Sequence, residues 1–501
     1  MKKSIRILAS GLACILVAIL GTACQQERII EEVSEYYEEV SSQTADGSHV
    51  NSGAVESTSE SDTASGGETT SPGNKKTTVS HKATNSAAKP GQKIDLKGAT
   101  VTITAWGAGA GPIKSEASYK NEVAFNAALE KKYNFKFKFV TVADSMQYAD
   151  IVTTKLMSGV KYGDIIYIPS SLSYPKFPIK GYVHPLDEYI DFSLPQWNKE
   201  ADEYATYKGK HYAVTNEDFS AGFYTVFFNK SLFQKFGATS PYEYFQKNNW
   251  TWDTFLQVAK ATTKKEGDIQ YWGVGGDGNK PTSPLGFIFS NGGSPVKKVN
   301  GKEIFNLDTE EAIEAIDFAG RLYNSENVCE KKPAEAALSY YEAQFKKGRI
   351  AMFFGPSYNA PTYLEALGKN LGFVYMPRGP KAKTHYSDVS EIPMYYIPTI
   401  VKNPKEIAAV LTEWLSPQNW RMTKEEQMEP WFADSTALKI ALDMGKTARV
   451  ENMFSYYGEY TDKVIWSDMG IFSMTPARSY VASVKQMAQK SIDNTWAGAG
   501  K

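Results

Sequence analysis

The sequence predicts an α/β protein with two lobes. A β-branched run at 99–106 is followed by a helical pattern at 121–132 and by a second strand pattern at 135–142. A strand, a helix and a strand at this spacing predict a βαβ unit and a parallel sheet. The folded part, of roughly 400 residues, exceeds the ~250–300 residues at which a single core usually splits, so two lobes are expected.

The same periodicity continues along the chain. We predict further strands at 164–168, 221–228 and 349–354, and further helices at 148–158, 254–263, 309–323 and 404–415. Either Thr251 or Asp253 is expected to cap the helix at 254–263, because each side chain can accept a hydrogen bond from an N–H of the first turn. These elements extend the α/β pattern over the whole folded part.

The N-terminus has the composition of an export signal. Basic residues precede an apolar run from Ile7 to Leu20, which is too short to span a bilayer and suits the core of a signal peptide. Residues 20–24, ending in Cys24, resemble a lipobox, although Gly21 stands where Leu is usual. We expect residues 1–23 to be removed and Cys24 to carry a lipid. Cleavage to an unanchored secreted chain is the alternative.

Residues 24–96 are expected to form a lipidated N-terminus and a disordered tether. The stretch 42–93 is dominated by Ser, Thr, Gly, Ala and Asn, and such a segment buries too little apolar surface to offset its ordering entropy. A flexible coil of ~70 residues has a root-mean-square reach of about 45 Å. We therefore expect a domain held at the extracellular face of the cytoplasmic membrane, in a Gram-positive cell envelope.

The composition argues against several function classes. The 55 basic and 56 acidic residues nearly cancel, which disfavours a nucleic-acid partner. Cys329 is the one cysteine after Cys24, and the histidines are scattered, so neither a metal site nor a cofactor is expected. Residues 273–278 satisfy G-x-G-x-x-G, but prolines follow where a nucleotide-binding helix would have to open.

Several motifs resemble those of the extracellular solute-binding proteins of sugar ABC importers, family 1, the relatives of maltodextrin-binding protein. The resemblance covers roughly residues 97–480, and its motifs occur in the order and spacing of the family. They are KLMSG (155–159), GDII (163–166), GYVHPLDEY (181–189), YKGKHYAV (207–214), FNKSLF (228–233), NWTWD (249–253) and FKKGRIAM (345–352).

The resemblance implies a two-lobed periplasmic-binding-protein-like (type II) fold with a hinge and an interlobe ligand cleft. By analogy, one lobe takes 97–220 and 346–400, and the other takes 221–345 and 401–496. The implied function is a monomeric, non-enzymatic receptor that binds a carbohydrate, expected to be an oligosaccharide, and delivers it to ABC permease subunits in the membrane.

Candidate ligand-binding residues follow the predicted strands, because open α/β sheets bind ligands beyond the carboxyl ends of their strands. Trp106 ends the first strand and can stack on a sugar ring; packing within the lobe is the alternative. Side chains that can hydrogen-bond a polyol come after later strands, with ordinary turn chemistry as the alternative. They are Ser170, Ser171, Asn216, Glu217 and Asp218.

Three further candidates lie in the C-terminal half. Residues 355–358 resemble a family segment that commonly reads Gly, any residue, Trp; here Ser357 takes the Trp position and Tyr358 follows it. Tyr358 is therefore the expected replacement for the stacking platform. Trp466 is a weaker candidate, for which structural packing is the alternative.

Other functions remain open from the sequence. A peptide or polyamine would be favoured by an acidic cleft with aromatic walls. An extracytoplasmic carbohydrate-active enzyme would be supported by two carboxylates facing each other at roughly 5–9.5 Å. A sensory module would hand its closed state to a membrane kinase, and neighbouring genes would distinguish it from an importer component.

Overall fold

The described part of the chain begins where the predicted tether ends. The computed structural model describes residues 94–107, 111–114, 118–216, 222–276, 280–299, 302–331, 339–389, 392–449 and 455–497. Contacts divide the chain into two units, Met1–His81 and Lys82–Lys501, and all described residues belong to the second. The predicted signal peptide (1–23), Cys24, nearly all of the tether, Glu217 and Asp218 lie outside the described residues.

Strands and helices alternate along the described residues. The strands are β1 (Ala99–Trp106), β2 (Phe135–Val142), β3 (Ile165–Pro169), β4 (Tyr224–Asn229), β5 (Lys264–Glu266), β6 (Ile269–Gly275), β7 (Val296–Val299), β8 (Lys302–Phe305), β9 (Ile350–Pro356), β10 (Leu371–Tyr375) and β11 (Pro393–Tyr396). Two-residue strands lie at Thr206–Tyr207, Lys210–His211, Ser387–Asp388 and Ala448–Arg449.

The longer helices flank these strands. They are α1 (Tyr119–Tyr133), α2 (Ser145–Met157), α3 (Lys230–Phe236), α4 (Trp252–Thr262), α5 (Pro284–Ser290), α6 (Glu310–Asn324), α7 (Tyr340–Lys346), α8 (Ala360–Leu367), α9 (Pro404–Trp414), α10 (Ser435–Lys446) and α11 (Ala477–Trp496). Short helical segments span Ser170–Ser173, Lys176–Ile179, Lys199–Tyr204, Pro241–Gln246, Ser357–Asn359, Gly368–Asn370, Lys424–Met428, Glu429–Trp431 and Thr461–Ile465.

Every strand and helix predicted above is present; the strands at 99–106 and 135–142 have the predicted bounds, and the ends of the others are shifted by up to three residues. Capping explains two of the starts. Asp144 precedes α2, and its side chain accepts a hydrogen bond from the N–H of Gln147 at 2.7 Å. Thr251, rather than Asp253, caps α4, because its hydroxyl accepts from the N–H of Thr254.

The first sheet has the strand order β11–β3–β1–β2. β1 runs parallel to both β2 and β3, which confirms the predicted βαβ unit, and β11 runs antiparallel to β3. Leu129 of α1 and Leu411 of α9 cover one face, against Val101 and Ile103. The other face packs against α2 through Tyr148.

The second sheet has the order β10–β4–β9–β6–β5, with β9 antiparallel to β4 and parallel to β6. Successive phenylalanines of β9 point to opposite faces. The ring of Phe354 lies 5.2 Å from Phe287 of α5, whereas the ring of Phe353 lies 5.5 Å from Tyr363 of α8. Helices therefore cover both faces, as the apolar sequence of β9 requires.

Close packing explains the two glycines of the 273–278 motif that lie in β6, Gly273 and Gly275. A Cβ on Gly273 would lie 2.2 Å from the carbonyl oxygen of Ala259 in α4, and one on Gly275 would lie 2.6 Å from Ile350. Glycine thus lets α4 and β9 approach β6 closely. Gly273 and Gly275 lie within β6 itself.

The lobe boundaries differ from those expected by analogy. β9 and β10, inside the range 346–400 expected for the first lobe, lie in the second sheet. α9, inside the range 401–496 expected for the second lobe, packs on the first sheet. The reason is connectivity: β6, the helices after it and β9 form a parallel β–α–β connection, which keeps β9 beside β6. The chain returns to the first sheet only at β11.

Three chain crossings connect the lobes. In the first two, Val214 pairs antiparallel with Tyr395, and Phe223 pairs antiparallel with Val389. The third leads from α9 in the first lobe to the helical segment Lys424–Met428 in the second. Adjacent antiparallel crossings form a hinge of the kind that lets two lobes move as rigid bodies.

Among the described residues, no helix is both long and apolar enough to cross a bilayer.

Candidate ligand-binding cleft

The carboxyl ends of three strands lie beside the hinge. Pro169 at the end of β3 pairs with Pro393, which starts β11 just after the second crossing. Pro356 at the end of β9 pairs with Tyr224, which starts β4 just after the first crossing. Trp106 ends β1, the parallel neighbour of β3. The edges at which open α/β sheets bind ligands therefore both border the hinge.

Trp106 is part of an aromatic stack at the end of the first sheet. Its ring lies 5.0 Å from the ring of Tyr167 and 6.5 Å from that of Tyr148, and both pairs are stacked. Tyr167 in turn stacks on Tyr395 at 4.3 Å. The Tyr148 hydroxyl is held 2.8 Å from the hydroxyl of Thr104. Trp106 remains only partly buried, so this stack fixes its ring at the strand end.

Ser170 and Ser171 have different roles, although they are neighbours. Ser170 is buried, and its hydroxyl accepts a hydrogen bond from the N–H of Ile392 at 3.1 Å. The structure therefore places Ser170 as a support of the second crossing, and a ligand contact of Ser170 stays a prediction. Ser171 points its carbonyl at the other lobe, where it accepts from the N–H of Tyr456 at 2.8 Å.

Asn216 lies at the first crossing, where its side-chain amide donates to the carbonyl of Leu415 at 3.4 Å. This bond ties the first crossing to the third. Asn216 stays partly buried, so it is placed both to support the hinge and to border the cleft.

Ser357 and Tyr358 follow β9. Ser357 is buried, and its hydroxyl accepts hydrogen bonds from the N–H groups of Gly222 and Phe223 at 3.0 and 3.1 Å. It therefore secures the first crossing, and a ligand contact of Ser357 stays a prediction. The next residue, Tyr358, has a 51% exposed side chain at the same strand end, as a ligand platform requires.

Trp466 lies on the second lobe in an exposed aromatic pair. Its side chain is 44% exposed, and its ring lies 5.9 Å from the ring of Tyr456. The ammonium group of Lys280, from the segment after β6, donates to the carbonyl of Trp466 at 3.3 Å. Since Tyr456 also bonds Ser171, this pair lies where the second lobe meets the end of β3.

The polar groups around Tyr456 make it a firm hydrogen-bond donor. Its hydroxyl donates to the carboxylate of Asp462 at 2.6 Å, and this bond, then burial, raises the pKa of Tyr456 to about 12. Lys176, in the first lobe, donates to the hydroxyl of Thr153 at 3.3 Å, and burial lowers the pKa of its ammonium group. Both groups are therefore engaged with partners in their own lobes.

Sequence reasoning missed Tyr148, Tyr167 and Tyr456. Tyr167 lies inside β3 and Tyr148 inside α2, so neither follows a strand end, which was the criterion used. Tyr456 belongs to an aromatic-rich stretch, 454–460, that could have been found from its composition.

Other parts of the described residues are poorer candidates. A groove of about 780 Å³ lies between the start of α4, α6 and residues 378–383, and none of the predicted site residues lines it. Its Arg378 is engaged with the carbonyls of Lys383 and Asn248. Within the described ranges, no cluster of three or more His, Cys, Asp or Glu could hold a metal ion.

A comparison with protein families gives an extended match. Residues 89–419 match the family described as bacterial extracellular solute-binding protein.

Solved structures share the fold at low sequence identity. The GacH receptor of Streptomyces glaucescens, solved unliganded and with acarbose, is 18% identical, with a TM-score of 0.58 over 79% of this chain and 99% of that one. An ABC substrate-binding protein of Listeria monocytogenes in complex with cycloalternan is 17% identical, with a TM-score of 0.57 over 80% and 98%. The maltose/maltodextrin-binding domain of Bdellovibrio bacteriovorus, bound to maltotriose, is 18% identical, with a TM-score of 0.53 over 79% and 99%. These similarities confirm the predicted fold class.

Proposed function

Because this chain belongs to the bacterial extracellular solute-binding proteins, we propose that it binds a carbohydrate between its lobes and delivers it to the permease subunits of an ABC importer. The structural neighbours described above were solved with acarbose, cycloalternan and maltotriose, so an oligosaccharide is the ligand class we infer. The chain acts as a receptor, and the energy for transport comes from other subunits.

The observation that carries this proposal is the position of Trp106. Its ring is held by Tyr167 and Tyr148 at the end of β1, and it stays partly exposed. Trp466 and Tyr456 supply a second aromatic pair on the other lobe. Aromatic faces pack against the C–H faces of sugar rings, and the surrounding donors suit their hydroxyl groups. Closure about the hinge would bury a ligand from water.

The direct test is a thermal-shift screen of the secreted chain, starting at Gln25, against oligosaccharides, amino acids, peptides and polyamines. Binding to the folded state raises the melting temperature by mass action. We expect shifts with one family of glycans. Shifts only with peptides or polyamines would replace the carbohydrate by another solute, and turnover of a glycan would support an enzyme.

Two tryptophan variants locate the site. Trp106→Ala should abolish the glycan-induced shift. Trp272→Ala, in β6 of the second sheet, removes the same side chain from a position inside a strand rather than at its carboxyl end, and should retain the shift. Equal loss in both variants, or retention in both, would contradict a site at Trp106.

We also propose that Cys24 carries a lipid and anchors the chain at the outer face of the cytoplasmic membrane. The apolar run and the lipobox-like segment at 20–24 support this. Mass spectrometry of the N-terminal peptide should find an acylated Cys24, and Cys24→Ser should move the protein from the membrane fraction to the medium. Retention of the variant in the membrane would refute the anchor.

The importer partnership and the monomeric state are tested separately. Deleting the chain's gene should abolish uptake of the ligand found in the screen, whereas a sensor would leave uptake intact and change only signalling. Light scattering of the secreted chain should give the mass of a single copy.

A further inference from the structure

Two hydrogen-bond contacts join the lobes directly. The N–H of Tyr456, in the second lobe, donates to the carbonyl of Ser171, in the first, at 2.8 Å. The hydroxyl of Tyr204, in the helical segment Lys199–Tyr204 of the first lobe, lies 3.4 Å from the hydroxyl of Ser455. Because Ser171 follows the carboxyl end of β3, these contacts lie on the ligand side of the hinge. They therefore favour the closed arrangement of the lobes.

An aromatic cluster extends the contact between the lobes. Trp496 ends α11 in the second lobe, and its ring lies 6.3 Å from Tyr174 and 6.4 Å from Tyr207, both in the first lobe. Tyr174 also packs on Tyr204 at 4.9 Å. Such ring pairs are within the range at which aromatic contacts stabilise a packed interface.

Glu303 orients Trp496 for this contact. One carboxylate oxygen of this buried residue accepts hydrogen bonds from the indole N–H of Trp496 at 2.9 Å and from the Tyr457 hydroxyl at 2.7 Å. Burial raises the pKa of Glu303. Burial, and then the charge of Glu303, raise the pKa values of Tyr174 and Tyr204.

We propose that these groups form an interlobe latch: Tyr174, Tyr204 and Tyr207 of the first lobe dock on Ser455 and Trp496 of the second. The latch consists of protein groups alone, so it stabilises the closed arrangement with or without a solute. It thereby sets the fraction of molecules in the closed state, and the apparent dissociation constant of a ligand that needs this state is inversely proportional to that fraction.

Two isosteric variants separate the latch from general packing. Tyr204→Phe removes the hydroxyl that meets Ser455 across the lobes. Tyr480→Phe is its matched control, because it removes a tyrosine hydroxyl that lies 3.2 Å from Ser467 within the second lobe. Trp496→Ala removes the aromatic contacts and the donor to Glu303.

The readout is the distance between spin labels on the two lobes, measured by double electron–electron resonance. Met157→Cys in α2 and Ile269→Cys at the start of β6 provide label sites, with side chains 67% and 38% exposed in the parent chain. In the secreted chain from Gln25, the remaining native cysteine is Cys329, which is fully buried. The measurement needs no ligand.

We expect one predominant separation in the parent chain and in Tyr480→Phe. Tyr204→Phe should lower the ratio of closed to open molecules roughly two- to tenfold, as for loss of one hydrogen bond. Trp496→Ala should lower it roughly tenfold or more, as for loss of two aromatic contacts. Unchanged distances in Tyr204→Phe and Trp496→Ala, with an intact circular dichroism spectrum, would overturn the latch. So would a shift of both variants to a more closed state.

A second readout rests on the proposed function. If a glycan binds, Trp496→Ala should weaken its affinity by the factor by which the closed fraction falls, and Tyr480→Phe should not. Higher affinity in Trp496→Ala would overturn the latch. Absence of glycan binding would refute the carbohydrate proposal only, because the distance measurement tests the latch independently.

Discussion

Replacing Ser357 with alanine tests whether this residue supports the hinge or contacts the ligand. Its buried hydroxyl accepts hydrogen bonds from two backbone N–H groups, those of Gly222 and Phe223. Alanine would remove this acceptor and leave the buried N–H of Phe223 unsatisfied, which costs about 1–3 kcal/mol. We therefore expect the free energy of unfolding to fall by ~1–3 kcal/mol.

Urea denaturation followed by circular dichroism measures this loss, which should move the midpoint with little change in slope. Ser483→Ala is the control, because that exposed hydroxyl bonds only the Tyr480 carbonyl of its own helix among the contacts described; its stability should match the parent chain. We expect Ser357→Ala to keep its ligand affinity within a few fold. Unchanged stability together with a large loss of affinity would refute the structural role and restore the ligand contact expected from sequence.

Three further substitutions test other features. Trp106→Ala should weaken carbohydrate binding roughly tenfold or more, and Trp106→Phe less, because stacking depends on the ring; calorimetry measures both. Asp202→Asn should raise the melting temperature more at pH 8 than at pH 5: burial raises the pKa of Asp202 to about 7 in the folded state, so folded-state stability is lost as pH rises through that value. Arg449→Ala should lower the free energy of unfolding by about 3–5 kcal/mol, measured in urea, because it leaves the buried Asp388 carboxylate without its ion-pair partner.

Local patterns predicted the secondary structure well. The strand at 135–142 has the predicted bounds, and that at 99–106 does too, because alternation and β-branched residues are strong local signals. The solute-binding family, inferred from short motifs, is confirmed by the match over residues 89–419. Both predictions used local features, namely the residue pattern of a single strand and motifs of four to nine residues.

The lobe assignment required information that local patterns do not carry. Nothing in the sequence of β9 itself distinguishes pairing with β4 from a place in the first sheet, because its residues are apolar on both faces. Register and crossover decide the matter, and they depend on partners that are 78 residues away in β6 and 124–132 residues away in β4. The family analogy supplied boundaries that the pairing of β9 and β10 corrected.

The candidate site was predicted in part for a similar reason. The strand-end criterion found Trp106 and Tyr358, whose exposure suits ligand contact. It also selected Ser170 and Ser357, because a small polar residue at a strand end can serve a ligand or the adjacent crossing equally well. Their hydrogen bonds from Ile392, Gly222 and Phe223 reveal the structural role, which no local pattern in the sequence indicates.

A column of stacked rings connects the candidate site to the hinge. Trp106 stacks on Tyr167, and Tyr167 stacks on Tyr395. The backbone of Tyr395 exchanges two hydrogen bonds with Val214, at 2.8 and 3.2 Å, where the first crossing leaves the first lobe.

The other end of the same crossing is fixed by Ser357 through the N–H of Phe223. Val214 is therefore tied to the first lobe and Phe223 to the second, one at each end of the first crossing. A ligand that stacks on Trp106 would contact the outer ring of this column, whose inner ring, Tyr395, pairs with Val214. The column of rings thus connects the proposed ligand platform directly to the first crossing.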